Sequence, residues 1–252
     1  MPGPDGSSAS DAERKRQARR IGARAAGSRD GDGKAEREDG PGGTGKKTAG
    51  TIVPVGGGSA MAEAAEALRS WWDRGQSFAA YVDGMTVNRE RLQSIEARYA
   101  LPEAARAFWR RFRGHGWRAL ILTADWCGDA MMAVPVFCHI AREAAMEARF
   151  YIRDDHPALM DRYLTGGARA IPKFVFVDAA FQERAVWGPR PPEVQAYLDA
   201  VRRRIPPPDD PAHETVKRAV YREVGDRYAT DPAFWAAIEA DLRRTLEPVA
   251  PA

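Results

Sequence analysis

Two short, unbroken apolar runs constrain this chain most: Ala119-Leu120-Ile121-Leu122 and Phe174-Val175-Phe176-Val177. Each is too short for a buried helix and lacks the alternation of a strand with one wet face. Each therefore reads as a strand covered on both sides. Strands of that kind need helices above and below them, which points to an α/β layer. The neighbouring stretches supply the rest. Met131 to Ala145 is helical, with Pro135 inside it predicting a kink. Arg149 to Ile152 reads as a strand and Pro157 to Leu164 as a short helix. Glu183 to Trp187 returns as a strand from an Ala179-Ala180 turn, and Pro192 to Arg204 is a helix ending before Pro206-Pro207-Pro208. The order β-α-β-α-β-β-α places one α/β domain over residues 117–205.

Helical patterns flank this domain. In residues 61–116, Leu92, Ile95 and Tyr99 share one face, and Phe108, Trp109 and Phe112 follow Pro102 at a helix start. Asn88 reads as an N-cap, Trp71 and Trp72 as core, and Gly114-His115-Gly116 as the break before the first strand. In residues 206–252, Ala212 to Tyr228 and Pro232 to Leu246 read as two helices, the second introduced by Thr230-Asp231-Pro232. Phe108, Trp109, Trp235 and Ile238 are expected to pack on the domain.

Residues 1–60 read as a disordered tail. The first 50 hold only two large apolar side chains, Met1 and Ile21, and Gly56-Gly57-Gly58 closes the segment. Met61 opens a helix-forming run and is a candidate natural start; tail peptides in protein from its native source would refute that. The tail also disposes of a charge argument. The chain has 38 Lys+Arg against 35 Asp+Glu, and the whole excess of three lies in residues 1–50. The remainder is formally neutral, so no basic face for nucleic acid is expected. No apolar run reaches the roughly 18–20 residues of a membrane helix, and no apolar core of a secretory signal follows the start. The chain reads as cytoplasmic, where a cysteine is more often chemical than structural. Two cysteines exclude a disulfide scaffold and a zinc site built from Cys pairs. None of the four histidines has metal-ligand spacing with another donor. No metal or cofactor is expected.

The chemistry concentrates in Asp125-Trp126-Cys127-Gly128-Asp129-Ala130, between the first strand and the proline-containing helix. A cysteine at a helix N-terminus meets unpaired N–H groups and the positive end of the dipole, which lower a thiol pKa and favour a nucleophilic thiolate. Gly128 leaves room for a chain to approach closely. Asp129 pulls both ways: helix N-termini accept acids, yet a carboxylate beside a thiolate opposes its ionisation. It is either a catalytic group or a first-turn acid. Asp125 either shuttles a proton or precedes the loop.

These residues resemble a family. Trp126-Cys127-Gly128 after a strand, a helix carrying proline, and Ile171-Pro172 just before a strand look like the thioredoxin superfamily. More closely they resemble bacterial thioredoxin-family proteins with a Trp-Cys-Gly-Asp-Ala motif. Those proteins share the patterns here spanning Arg153 to Leu164 and Val186 to Val194, and have helical extensions on both sides. The resemblance covers about residues 62–247. It implies a thioredoxin-like fold, a mixed central sheet flanked by helices. It also implies Cys127 as nucleophile, Trp126 shaping the approach of a disulfide, and Pro172 as a cis proline leaving Ile171 backbone groups free to pair with an extended substrate.

One departure decides the chemistry. Ala130 stands where a dithiol site has its second cysteine, so Cys127 has no resolving partner. Cys138 lies eleven residues further along the helix, about 16 Å at 1.5 Å per residue, whereas a disulfide needs Cα atoms within about 7 Å. The expected function is therefore monothiol exchange with protein disulfides or a small thiol such as glutathione, a thiol–disulfide oxidoreductase of single-cysteine type. The alternative is a redox-inactive binding module that keeps the groove beside Trp126 and Pro172. An iron–sulfur cluster shared by two monothiol subunits is a minor third reading, weakened because the motif of the monothiol glutaredoxins is absent.

Overall fold

A computed structural model describes residues 57–252; the tail reading for residues 1–56 lies outside them. Helix α1 (Gly57–Trp72) begins four residues inside the segment read as tail. It is followed by α2 (Phe78–Gly84), α3 (Arg89–Arg98) and α4 (Glu103–Arg110). The break at Gly114-His115-Gly116 is real: Gly116 has φ +65°, a conformation open to glycine at little cost.

The α/β domain then runs β1 (Arg118–Thr123), α5 (Gly128–Ala144), β2 (Glu147–Ile152), α6 (Pro157–Met160), β3 (Lys173–Val177), β4 (Glu183–Trp187) and α7 (Pro192–Arg202). This is the expected order. The sheet is mixed, β2-β1-β3-β4. β1 pairs parallel with β2 and antiparallel with β3, so Ile121 sits between Phe150 and Phe174. Both apolar runs are buried throughout, as strands in the middle of a covered sheet must be. The open edge of β2 is partly closed by Gln76, which exchanges two backbone hydrogen bonds with Phe150 (3.0 and 2.9 Å).

The C-terminal helices are α8 (His213–Thr230) and α9 (Pro232–Leu246). Asp231 caps α9 by accepting from the Ala233 N–H at 2.9 Å. With α3 and α4 they pack around α5, which is why α5 is buried on almost every face from Ala130 to Phe137. Phe108 is partly buried, and Trp109, Trp235 and Ile238 are fully so, within this one chain. A polar link ties the two extensions together: the fully buried Trp109 indole N–H donates to the buried Glu239 carboxylate at 2.8 Å. A buried indole N–H needs such a partner. Among the described residues, no helix is long and apolar enough to cross a membrane.

Candidate functional site

Helix α5 starts three residues earlier than its apolar pattern suggests, and this puts Cys127 at its N-cap with extended backbone (φ −83°, ψ 117°). The sulfur accepts from the Ala130 N–H at 3.5 Å, as an N-cap side chain does. On its other side the thiol donates to the Ile171 carbonyl at 3.4 Å. The Ile171–Pro172 peptide is cis and buried, and faces the cysteine across this contact. Cys127, Ile171 and Pro172 are therefore brought together at one place.

The acidity of the thiol is not as expected. Cys127 is only 7% exposed, and its pKa is pushed up to about 11. Burial is the largest cause and the Asp129 charge the next. The N–H groups of Ala130 and Asp129 and the Arg190 guanidinium act in the opposite direction and are outweighed. The helix terminus has the expected sign but loses to desolvation, which penalises a thiolate most where water is excluded. The expected outcome is that alkylation of Cys127 rises with pH toward about 11 and is slow at neutrality. Intact mass with time, using Cys127→Ser as the control, measures this; a midpoint below the free-cysteine value of about 8.5 would refute it. Cys138 is buried on the same helix and its thiol is pushed up to about 12, first by burial and then by the Glu96 charge.

Asp129 is held by a residue the sequence reading did not single out. Arg190 grips it with two hydrogen bonds, Nε to Oδ1 at 2.9 Å and NH2 to Oδ2 at 2.5 Å. The side chains are 17% and 11% exposed, so the pair is largely out of water. A third donor of Arg190 goes to Gln195 Oε1 at 2.6 Å, and Gln195 Nε2 donates to Asp199 at 2.8 Å. Arg190 reaches this position through the loop between β4 and α7. There Gly188 has φ +118°, and a Cβ on it would lie 2.1 Å from the Pro172 carbonyl oxygen. The Gly-Pro-Arg stretch within Val186 to Val194 thus packs one residue on Pro172 and aims another at Asp129. Gly188→Ala is expected to cost about 1–3 kcal/mol from backbone conformation alone, with the clash in addition. Its urea midpoint should fall, and an unchanged midpoint would contradict this close approach.

Asp125 is engaged by the loop before α3. Its Oδ2 accepts from the Thr86 N–H (2.8 Å), the Thr86 hydroxyl (2.9 Å) and the Val87 N–H (3.1 Å). Burial alone would raise this carboxyl, but these bonds outweigh it and hold the group below the usual range. A carboxylate so held anchors the loop between α2 and α3 and is a poor proton shuttle. Asn88 joins the same anchor. Instead of capping α3 with its side chain, it takes a left-handed conformation (φ 58°) and donates from Nδ2 to the Asp125 carbonyl at 2.9 Å.

Trp126 is the exposed member of the motif at 49%, with the Arg153 guanidinium 4.5 Å from its ring centroid. Gly128 does not face open space: a Cβ on it would lie 3.6 Å from the Tyr228 ring of α8. The approach expected at Gly128 is taken by the C-terminal extension. Among the described residues, no group of three His, Cys, Asp or Glu side chains is placed to hold a metal.

No curated protein matches the sequence. Among solved structures, a protein of unknown function from Pseudomonas aeruginosa is 21% identical, with 71% of this chain and 95% of that one covered and a TM-score of 0.47. An HIV epitope-scaffold is 20% identical, with 72% and 98% covered and a TM-score of 0.49. The thioredoxin family model matches residues 75–202, from the turn after α1 to the end of α7. With that match over half the chain, and a mixed four-stranded sheet carrying a cysteine at the start of its central helix, the protein belongs to the thioredoxin family.

Proposed function

We propose that this protein carries out thiol–disulfide exchange through Cys127 alone, with the resting thiol kept latent until a partner binds. The observation that carries this reading is the 3.4 Å contact from the Cys127 thiol to the Ile171 carbonyl. A hydrogen bond from S–H to a carbonyl favours the neutral thiol. An extended disulfide-bearing chain whose backbone N–H takes the Ile171 oxygen removes that acceptor. The proton is then released to solvent, and the thiolate is held by the Ala130 and Asp129 N–H groups and offset by Arg190. It attacks one sulfur of the partner's disulfide. The Cys127–sulfur bond forms, the partner's S–S bond breaks, and the departing thiolate takes a proton from water. Ala130 offers no second thiol, so a free small thiol attacks the partner's sulfur in the mixed disulfide and Cys127 leaves as thiolate. The net change is one thiol exchanged for another on the partner, in a reducing compartment such as the cytoplasm.

A second reading, a redox-inactive module that binds an extended chain beside Trp126 and Pro172, is favoured by the burial and raised pKa of the thiol. One experiment separates the two. Mixed-disulfide formation is followed by intact mass with an extended peptide disulfide and with oxidised glutathione at equal concentration. The latent-thiol reading expects the peptide to react about fivefold faster or more, one backbone hydrogen bond being worth about 1 kcal/mol. No adduct with either disulfide, with peptide binding retained in Cys127→Ser, would establish the binding module instead.

A further inference from the structure

Lys173 opens β3 directly after Pro172 and is only 7% exposed, a burial that lysines rarely reach unless paired. Among the described residues no carboxylate pairs with it, and burial alone acts on its pKa, downward. Its one hydrogen bond runs from Nζ to the Gly188 carbonyl at 2.9 Å. A buried ammonium answered by a single neutral acceptor is costly. A fold that needed only to fill this space would be better served by an apolar side chain. The lysine therefore calls for a reason beyond packing.

What its bond holds is the loop between β4 and α7. Gly188 is held from two successive residues at the start of β3. Its φ of +118° brings it so near the Pro172 carbonyl oxygen that a Cβ would lie 2.1 Å away, and Lys173 takes its carbonyl. Two residues further on, Arg190 makes its two bonds to Asp129, and Asp129 stands two residues after Cys127. In the other direction the path is as short. Ile171, two residues before Lys173, accepts from the Cys127 thiol at 3.4 Å. The contacts close a circuit: Cys127 to Ile171, Lys173 to Gly188, Arg190 to Asp129 and so back to the turn of the cysteine.

We propose that Lys173 is a positioning residue for the thiol: by holding the Gly188 carbonyl it keeps the Arg190 guanidinium aimed at Asp129. Without that tether the loop moves more freely and the guanidinium spends less time on the carboxylate. The Asp129 charge is then less well balanced. After burial, that charge is the largest influence keeping the proton on Cys127, so the thiol becomes harder to ionise. The inference rests on Cys127 being the working thiol.

The test follows alkylation of Cys127 by iodoacetamide, a neutral reagent, across pH by intact mass, with Cys127→Ser accounting for reaction at Cys138. Lys173→Met keeps the length of the stem and removes the donor. It should alkylate about threefold more slowly below the midpoint, on the scale of one hydrogen bond, with the midpoint moved up. Lys173→Gln, one bond shorter and still polar, should do the same, and it takes the place of the methionine variant if that one does not fold. In Arg190→Gln no guanidinium is left to aim, so adding Lys173→Met should slow the reaction no further. An unchanged rate and midpoint in the Lys173 variants would overturn the proposal. Equal slowing in the Arg190→Gln background would overturn it too, because Lys173 would then act on the thiol without the loop. Iodoacetamide reports the thiol whether or not it exchanges disulfides, so failure of the tether and failure of the exchange reading appear in separate measurements.

Discussion

Deleting residues 206–252 is expected to abolish the folded state rather than trim it. The segment contributes Val220, Val224, Tyr228, Phe234, Trp235, Ile238, Leu242 and Leu246, all buried. Side chains of this kind stabilise by about 1.5–3 kcal/mol each when fully buried. Together that is about 12–24 kcal/mol before any discount for structure in the unfolded chain, a loss as large as the 5–15 kcal/mol by which a typical domain is stable. The cut also bares the surface of α5 that α8 and α9 cover and removes Glu239 from the buried Trp109 indole. Circular dichroism and heating check this. The truncated chain should show no cooperative melt, or precipitate. A melting temperature equal to that of the whole protein would mean that these helices serve a partner and not their own core.

The second large effect concerns Arg190. Replacing it with glutamine leaves the Asp129 carboxylate largely buried without its bidentate partner, a change that typically costs about 3–5 kcal/mol. The same substitution deprives Cys127 of a positive charge that lowers its pKa, while the Asp129 charge that raises it stays. The thiol of Arg190→Gln should therefore titrate higher than the wild-type value of about 11 and alkylate more slowly at any pH below it. Asp129→Asn reverses the second effect: the raising charge is gone, the guanidinium remains, and alkylation should speed up. Both single variants lose stability, so the opposite directions of the alkylation rates separate charge from damage to the fold. Asp129→Asn with Arg190→Gln should recover much of the stability, as removing both partners of a buried pair does. If the two single variants shift the rate in the same direction, the electrostatic account of the thiol is wrong.

The strands and helices were legible because they follow local pattern. The runs at Ala119 and Phe174 could only be covered strands, and the period of Leu92 and Ile95 could only be a helix with one buried face. The position of Cys127 at a helix start was legible for the same reason. Its acidity was not, because the sign depended on burial, a tertiary quantity that outweighs the helix terminus. Arg190 was visible in its Gly-Pro-Arg setting but carried no marker of its partner, which lies 61 residues away. A search for a cation to compensate Asp129 would have been the route to it. The partners of Asp125 and of Asn88, which does stand at the N-cap position of α3, were hidden for another reason. Each was judged by its own immediate neighbours, whereas their hydrogen bonds join the α2–α3 loop to the turn before α5.

The wrapping of α5 by helices from both flanks also orders events during synthesis. The turn bearing Cys127 is made long before Tyr228, and α9 is complete only at Leu246. At about 5–20 residues per second, the ribosome needs on the order of ten seconds to bridge that interval. Throughout it the nascent chain presents its cysteine without the helices that later enclose the neighbouring turn. The contacts that close the core join distant parts of the sequence, which favours slow maturation over rapid local collapse. For that period the Cys127 thiol and the apolar faces of α5 are open to solutes that the finished fold keeps out.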